Sequence, residues 1–60
     1  MKLQILREEE WETVQKEVKV KAHSHFIEVY FDPNTTNEPR GNYRLVDGKK
    51  VVKKQIKFIS

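Results

Sequence analysis

Two histidines, His23 and His25, stand one residue apart at the mouth of the most hydrophobic run in the chain, His23-Ser24-His25-Phe26-Ile27-Glu28-Val29-Tyr30-Phe31. On a regular strand they would share one face, with Cα atoms about 6.8 Å apart. That spacing suits two imidazoles on one metal ion. A third ligand would have to come from Glu28, Asp32 or Asp47, and no spacing selects one of them; no metal site is expected. The same pair suits metal-free RNA cleavage. One neutral imidazole would take the 2′-hydroxyl proton, one imidazolium would protonate the leaving oxygen, and Arg40, Arg44 or a lysine would stabilise the phosphorane. The plainer alternative is two polar residues at a strand bend.

A second set of residues is basic. Lys49, Lys53 and Lys57 recur every four positions, with Arg44 nearby and Arg40 upstream. On one side of a strand such lysines stand about 13 Å apart. A row of that kind follows a phosphate backbone by displacing condensed counterions. Tyr30, Tyr43 or Trp11 would add a stacking surface where exposed. The plainer alternative is a solvated sheet face whose lysines guard an edge from aggregation.

Charge is distributed unevenly. Residues 8–17 hold Glu8, Glu9, Glu10, Glu12 and Glu17 against Lys16, a balance of −4. Residues 40–57 hold Arg40, Arg44, Lys49, Lys50, Lys53, Lys54 and Lys57 against Asp47, a balance of +6. The basic end fits an anionic partner, or the two ends neutralise each other within or between chains. The acidic stretch carries Trp11, which a domain of this size is expected to use inside its core.

The elements that must position these groups belong to one small domain spanning residues 1–60. A chain of that length buries only roughly 60% of its unfolded surface. It has no cysteine, so no disulfide or thiolate zinc site supports the core. No apolar h-region or membrane-length run appears, and Asn34-Thr35-Thr36 has the glycosylation pattern but is taken as turn chemistry. A soluble, cytoplasmic chain is expected. No Gly-rich phosphate loop, nucleophile elbow, zinc-finger pattern or paired-carboxylate motif is present, and no cofactor is expected.

Periodicity points to a β-rich domain, α+β or all-β, with an antiparallel sheet of about four strands and at most one short N-terminal helix. Lys2 to Leu6 forms a strand with Leu3 and Ile5 on one face. Trp11, Val14 and Val18 share a helical stripe, so a helix is expected over Glu8 to Lys16, with a strand from about Val18. Val18, Val20 and Ala22 are apolar at even positions, whereas Ile27, Val29 and Phe31 are apolar at odd ones. A bulge, bend or break must therefore lie between Ala22 and His25. Phe26 and Tyr30 face away from Ile27, Val29 and Phe31. Asp32 to Asn42 is a loop, with turn formers at Asp32-Pro33-Asn34 and Glu38-Pro39-Arg40-Gly41-Asn42.

Tyr43 to Val46 and Lys49 to Ile59 form a hairpin about Asp47-Gly48. Its apolar face carries Tyr43, Leu45, Val52, Ile56 and Phe58, with Lys50 and Lys54 at the margin. Its other face carries Arg44, Val46, Lys49, Val51, Lys53, Gln55 and Lys57. The core is expected to hold Leu3, Ile5, Trp11, Val14, Val18, Val20, Ile27, Val29, Phe31, Leu45, Val52, Ile56 and Phe58. Exposed edges and opposed charges lead to an expected homodimer.

Three function classes follow. The first is a non-catalytic module that binds the backbone of RNA or DNA through Arg40, Arg44, Lys49, Lys53 and Lys57. The second is a protein-interaction or inhibitor protein of a mobile element, acting through its sheet edge or charged ends. The third is a metal-independent ribonuclease using His23 and His25.

Overall fold

The computed structural model describes residues 1–36 and 42–60. Seven strands follow in order: β1 Lys2–Arg7, β2 Glu10–Gln15, β3 Val20–Ala22, β4 Phe26–Tyr30, β5 Asn42–Asp47, β6 Lys50–Val51 and β7 Gln55–Ile59. A 3-10 turn spans Pro33–Thr36, and no α-helix occurs among the described residues. The strands form a four-stranded sheet A, in the order β2-β1-β5-β6, and a three-stranded sheet B, in the order β3-β4-β7. The domain is β-rich, as its alternating apolar positions imply.

The expected helix over Glu8 to Lys16 is replaced by a hairpin. β1 and β2 pair antiparallel from Arg7↔Glu10 back to Leu3↔Gln15. A nine-residue helix is marginal in water, whereas β2 supplies a full edge of hydrogen bonds to β1, whose Leu3 and Ile5 are both fully buried. The turn residues Glu8 and Glu9 have φ of 47° and 68°. Positive φ at both central positions is the geometry that follows the right-handed strand twist. Neither residue is Gly or Asn, which is why the sequence shows no turn there.

A register shift between Leu3 and Gln4 makes Val14 the extra residue of β2. The bulge turns Val14 toward the core, where it packs on the buried cluster. The chain then leaves sheet A. Val18 N–H still donates to Met1 O at 3.1 Å, but Lys19 O already accepts from Tyr30 N–H at 2.9 Å. β3 continues this second pass across sheet B. The change of apolar phase is resolved as a tight hairpin rather than a kinked strand. His23 N–H donates to Phe26 O at 2.9 Å across Ser24-His25, so Val20 pairs with Val29 and Ala22 with Ile27.

The last hairpin has the register Val46↔Val51, closed further by Asp47↔Lys50 about Gly48, whose φ is 62°. Its second arm is not the unbroken strand expected from Lys49 to Ile59. The ladder ends with Val52 N–H donating to Leu45 O at 2.9 Å. Residues 52–54 turn the corner, and β7 joins sheet B parallel to β4, from Phe26↔Gln55 to Tyr30↔Ile59. Lys54, expected at the margin of the apolar face, reaches from that corner to His23 O at 2.7 Å. The second and fifth passes of the chain thus each belong to both sheets, and the whole is a partly open barrel of five passes.

Leu3, Val18, Ile27, Val29 and Leu45 form the buried cluster between the sheets, with Met1, Val14, Val20, Phe31, Tyr43, Val52, Ile56 and Phe58 packed on it. Phe31, Tyr43 and Phe58 meet as an aromatic group, the last two edge to face at 4.9 Å. Tyr43 OH donates to Pro33 O at 3.4 Å, and the Asp32 carboxylate accepts from Asn34 N–H at 3.0 Å, which ties the 3-10 turn down. Trp11 departs from its expected core position. It pairs with Leu6 on the outward side of sheet A and remains 37% exposed.

Glu8 and Glu9 occupy a conformation that costs an L-residue with a Cβ roughly 1–2 kcal/mol in a regular setting. Replacing them with Asn and Gly, the pair this turn favours, is expected to stabilise the chain by about 1–2 kcal/mol. Each 1 kcal/mol corresponds to a rise of about 4–8 °C in Tm for a domain of this size. An unchanged or lowered Tm on thermal unfolding of the double variant would show that the turn is not strained.

Candidate nucleic-acid interface

Alternation decides what sheet B shows to solvent. Ile27 and Val29 point inward, so Phe26, Glu28 and Tyr30 point outward. The registers place Lys21 and Lys57 on either side of Glu28, and Ile59 beside Tyr30. The Lys19 to Tyr30 hydrogen bond extends the same lattice by one row. Three rows result: His23, Phe26 and Gln55; Lys21, Glu28 and Lys57; Lys19, Tyr30 and Ile59. Two aromatic rings and three lysines share this face with a single carboxylate.

The side chains are engaged with one another. The His23 ring stacks on Phe26 at 4.3 Å between centroids, with 18° between planes. Lys57 Nζ lies 4.2 Å from the Phe26 centroid, and Lys19 Nζ lies 5.5 Å from that of Tyr30. Glu28 holds the centre: its Oε1 is 2.8 Å from His23 Nε2, and its Oε2 accepts from Tyr30 OH at 3.2 Å. The hydrogen bond to Glu28 raises the Tyr30 pKa above its ordinary 10.0, with smaller contributions from desolvation and from the carboxylate's charge. Tyr30 itself is 39% exposed.

The residues singled out from sequence are divided by this geometry. Lys57 belongs to the face. Arg44 lies on the outer side of sheet A, paired with Gln4. Lys49 sits in the β5–β6 turn and Lys53 in the corner between the sheets. The evenly spaced row of Lys49, Lys53 and Lys57 therefore does not form, because the strand that would carry it changes sheet. Arg40 lies outside the described residues, as do Glu38, Pro39 and Gly41. His23 is half-buried on the face, while His25 is exposed in the turn beyond it. Among the described residues no group of three His, Cys, Asp or Glu is placed to hold a metal ion. No helix among them is long and apolar enough to cross a membrane.

Sequence reasoning missed Lys19, Lys21 and Phe26 as site residues. The signal was present: Val18-Lys19-Val20-Lys21 puts both lysines opposite the apolar side, as Ile27 and Val29 do for Phe26 and Tyr30. What was lacking was the hairpin that places those two outward sides next to each other.

Comparison with known proteins yields no match: no family model fits the chain, and neither a curated protein nor a solved structure resembles it. The face itself carries the functional argument.

A tyrosine whose folded pKa exceeds its unfolded value binds its proton more tightly in the folded chain. Its contribution to stability is complete below about pH 10 and is lost as pH rises through the raised folded pKa. In a Tyr43→Phe background, which leaves Tyr30 as the one remaining tyrosine, phenolate absorbance should titrate above the ordinary range. Adding Glu28→Gln should lower that midpoint. An ordinary midpoint with Glu28 intact would mean that the Tyr30–Glu28 bond does not form in solution.

Proposed function

We propose that the protein binds single-stranded nucleic acid on the outer face of sheet B. The supporting observation is the interleaving of Lys19, Lys21 and Lys57 with Phe26 and Tyr30 on three adjacent strands. Sequence-tolerant binding of single strands needs these two components: cations that follow the backbone, and rings on which bases stack. Lysine is held over each ring by cation–π attraction, so the cations and the stacking surfaces sit side by side. A base stacks on Tyr30 by displacing the Lys19 ammonium, which then meets the neighbouring phosphate. Phe26, covered by His23 and Lys57, presents its edge and orients both neighbours.

Architecture agrees with this reading by analogy. Partly open barrels of five strands are one of the frameworks on which oligonucleotides bind, across the face of the second and third strands. Here that face is the one bearing Lys19, Lys21, Phe26 and Tyr30. Fold alone does not assign function; the side chains on the face carry the proposal.

The test is fluorescence anisotropy of a labelled oligouridylate across a salt series, with a gel of the same samples to report cleavage. Three phosphate contacts on a single strand give a slope of log K against log salt of about −2. Changing Lys19, Lys21 and Lys57 together to Glu should abolish binding. Tyr30→Ala should weaken it about tenfold, in line with a stacking contribution of about 1–3 kcal/mol per base. Binding that survives the triple reversal overturns the proposal. Cleavage that disappears with His23→Ala and His25→Ala would replace it with the ribonuclease reading.

A further inference from the structure

The outer face of sheet A carries a second constellation, independent of the nucleic-acid reading. Thr13, Gln4 and Arg44 form one row across β2, β1 and β5, each the register partner of the next. Gln4 Nε2 donates to Thr13 Oγ1 at 3.3 Å, which leaves Gln4 Oε1 directed at Arg44. Arg44 Nε donates to that oxygen at 2.7 Å. The guanidinium carbon lies 4.2 Å from the Trp11 ring centroid, so the Arg44 plane is held over an aromatic face.

A guanidinium has five N–H donors, and only the one on Nε is used here. The four on the two Nη atoms have no partner among the described residues. No carboxylate among the described residues takes them. Glu12 follows Trp11, but alternation turns it to the other side of β2, where it pairs with Arg7 at 3.0 Å. Glu10 is turned away from the outer face likewise. Lys2 lies on the same side of β1 as Gln4, two positions on, and adds a like charge.

We infer that Arg44, fixed by Trp11 and the Gln4–Thr13 pair, is a preorganised site for one oxyanion, a phosphate or carboxylate group that presents two oxygens to Nη1 and Nη2. An arginine fork matches such a pair of oxygens with two parallel hydrogen bonds. Its usual cost, the immobilisation of a long side chain, is met here within the fold, because the stack and the Nε bond already hold the plane. Lysine in the same place would offer charge without the fork.

The chain contains one tryptophan, and it is the residue under the guanidinium. The test titrates the full chain with sodium phosphate and with sodium acetate, following Trp11 fluorescence, against sodium chloride at equal ionic strength. A saturable change with phosphate or acetate, absent with chloride, is expected, and the tighter of the two anions identifies the group preferred. Arg44→Lys should weaken that binding about tenfold, the effect of losing one charge-assisted hydrogen bond. The Arg44 Nε–Hε resonance, followed by NMR in the unaltered protein, should move with the same anion and give a readout that does not depend on a variant folding. A response equal to that of chloride, or one unchanged by Arg44→Lys, overturns the inference. Because sheet A and sheet B turn their outer faces apart, Arg44→Lys should leave RNA anisotropy on sheet B unchanged, so the two readings fail separately.

Discussion

Everything in this fold depends on one small apolar cluster being covered from both sides. Sixty residues without cysteine have no disulfide, and among the described residues five buried side chains form the cluster that the two sheets share. Neither sheet is self-sufficient: a three-stranded sheet, one of whose strands is only three residues long, cannot hide Ile27 and Val29 alone. The chain meets this constraint by making its second and fifth passes serve both sheets. The step from Val18 to Lys19 and the corner at residues 52–54 are the two places where a strand gives up one set of partners for another. Their cost in lost ladder bonds is offset because Val18, Val20, Ile56 and Phe58 all reach the same core.

The outer faces follow from the inner one. Once alternation commits Leu3, Ile5, Ile27, Val29 and Leu45 inward, every intervening residue is turned outward, and its chemistry is fixed by register. On sheet B that brings lysines from two separate parts of the chain, residues 19–21 and β7, around Phe26, Glu28 and Tyr30. On sheet A it aligns Thr13, Gln4 and Arg44 beside Trp11. The two faces differ in kind. Sheet B spreads three lysines over a broad surface, two of them set over its rings. Sheet A fixes a single cation in one orientation, which suits one group with defined geometry. Glu28 keeps the sheet B face from being uniformly positive, and it does so by accepting bonds from residues on either side of it.

Much of this was legible in the residues themselves. The inward sides of β1, β4 and β5, the outward position of Phe26 and Tyr30, and the break in phase near His23 follow from period-two alternation. Three features were not. Glu8-Glu9 forms a turn without any residue that favours positive φ, so the first hairpin resembled a helical stripe. Val52, Lys53 and Lys54 include no Gly or Pro, so the change of sheet left no local mark. Trp11 was assigned inward by its size, whereas the residue opposite it, Leu6, determined its side. Each of these is settled by strand pairing, which residue type and local pattern do not report.

The parallel pairing of β4 with β7 sets the order in which this molecule can assemble. Hairpins such as β1–β2, β3–β4 and β5–β6 close over a few residues and form in about 1–10 μs. Phe26 and Gln55, by contrast, are partners across most of the second half of the chain, and non-local contacts of that sort are slow to form. Until the last pass docks, Ile27 and Val29 have one open edge beside them and Lys57 is nowhere near Phe26. The lysine-bearing face of sheet B is thus a late product of folding. A chain stalled before that step would carry an apolar strand open along one edge in place of a lysine-bearing surface, and would be prone to stick to itself.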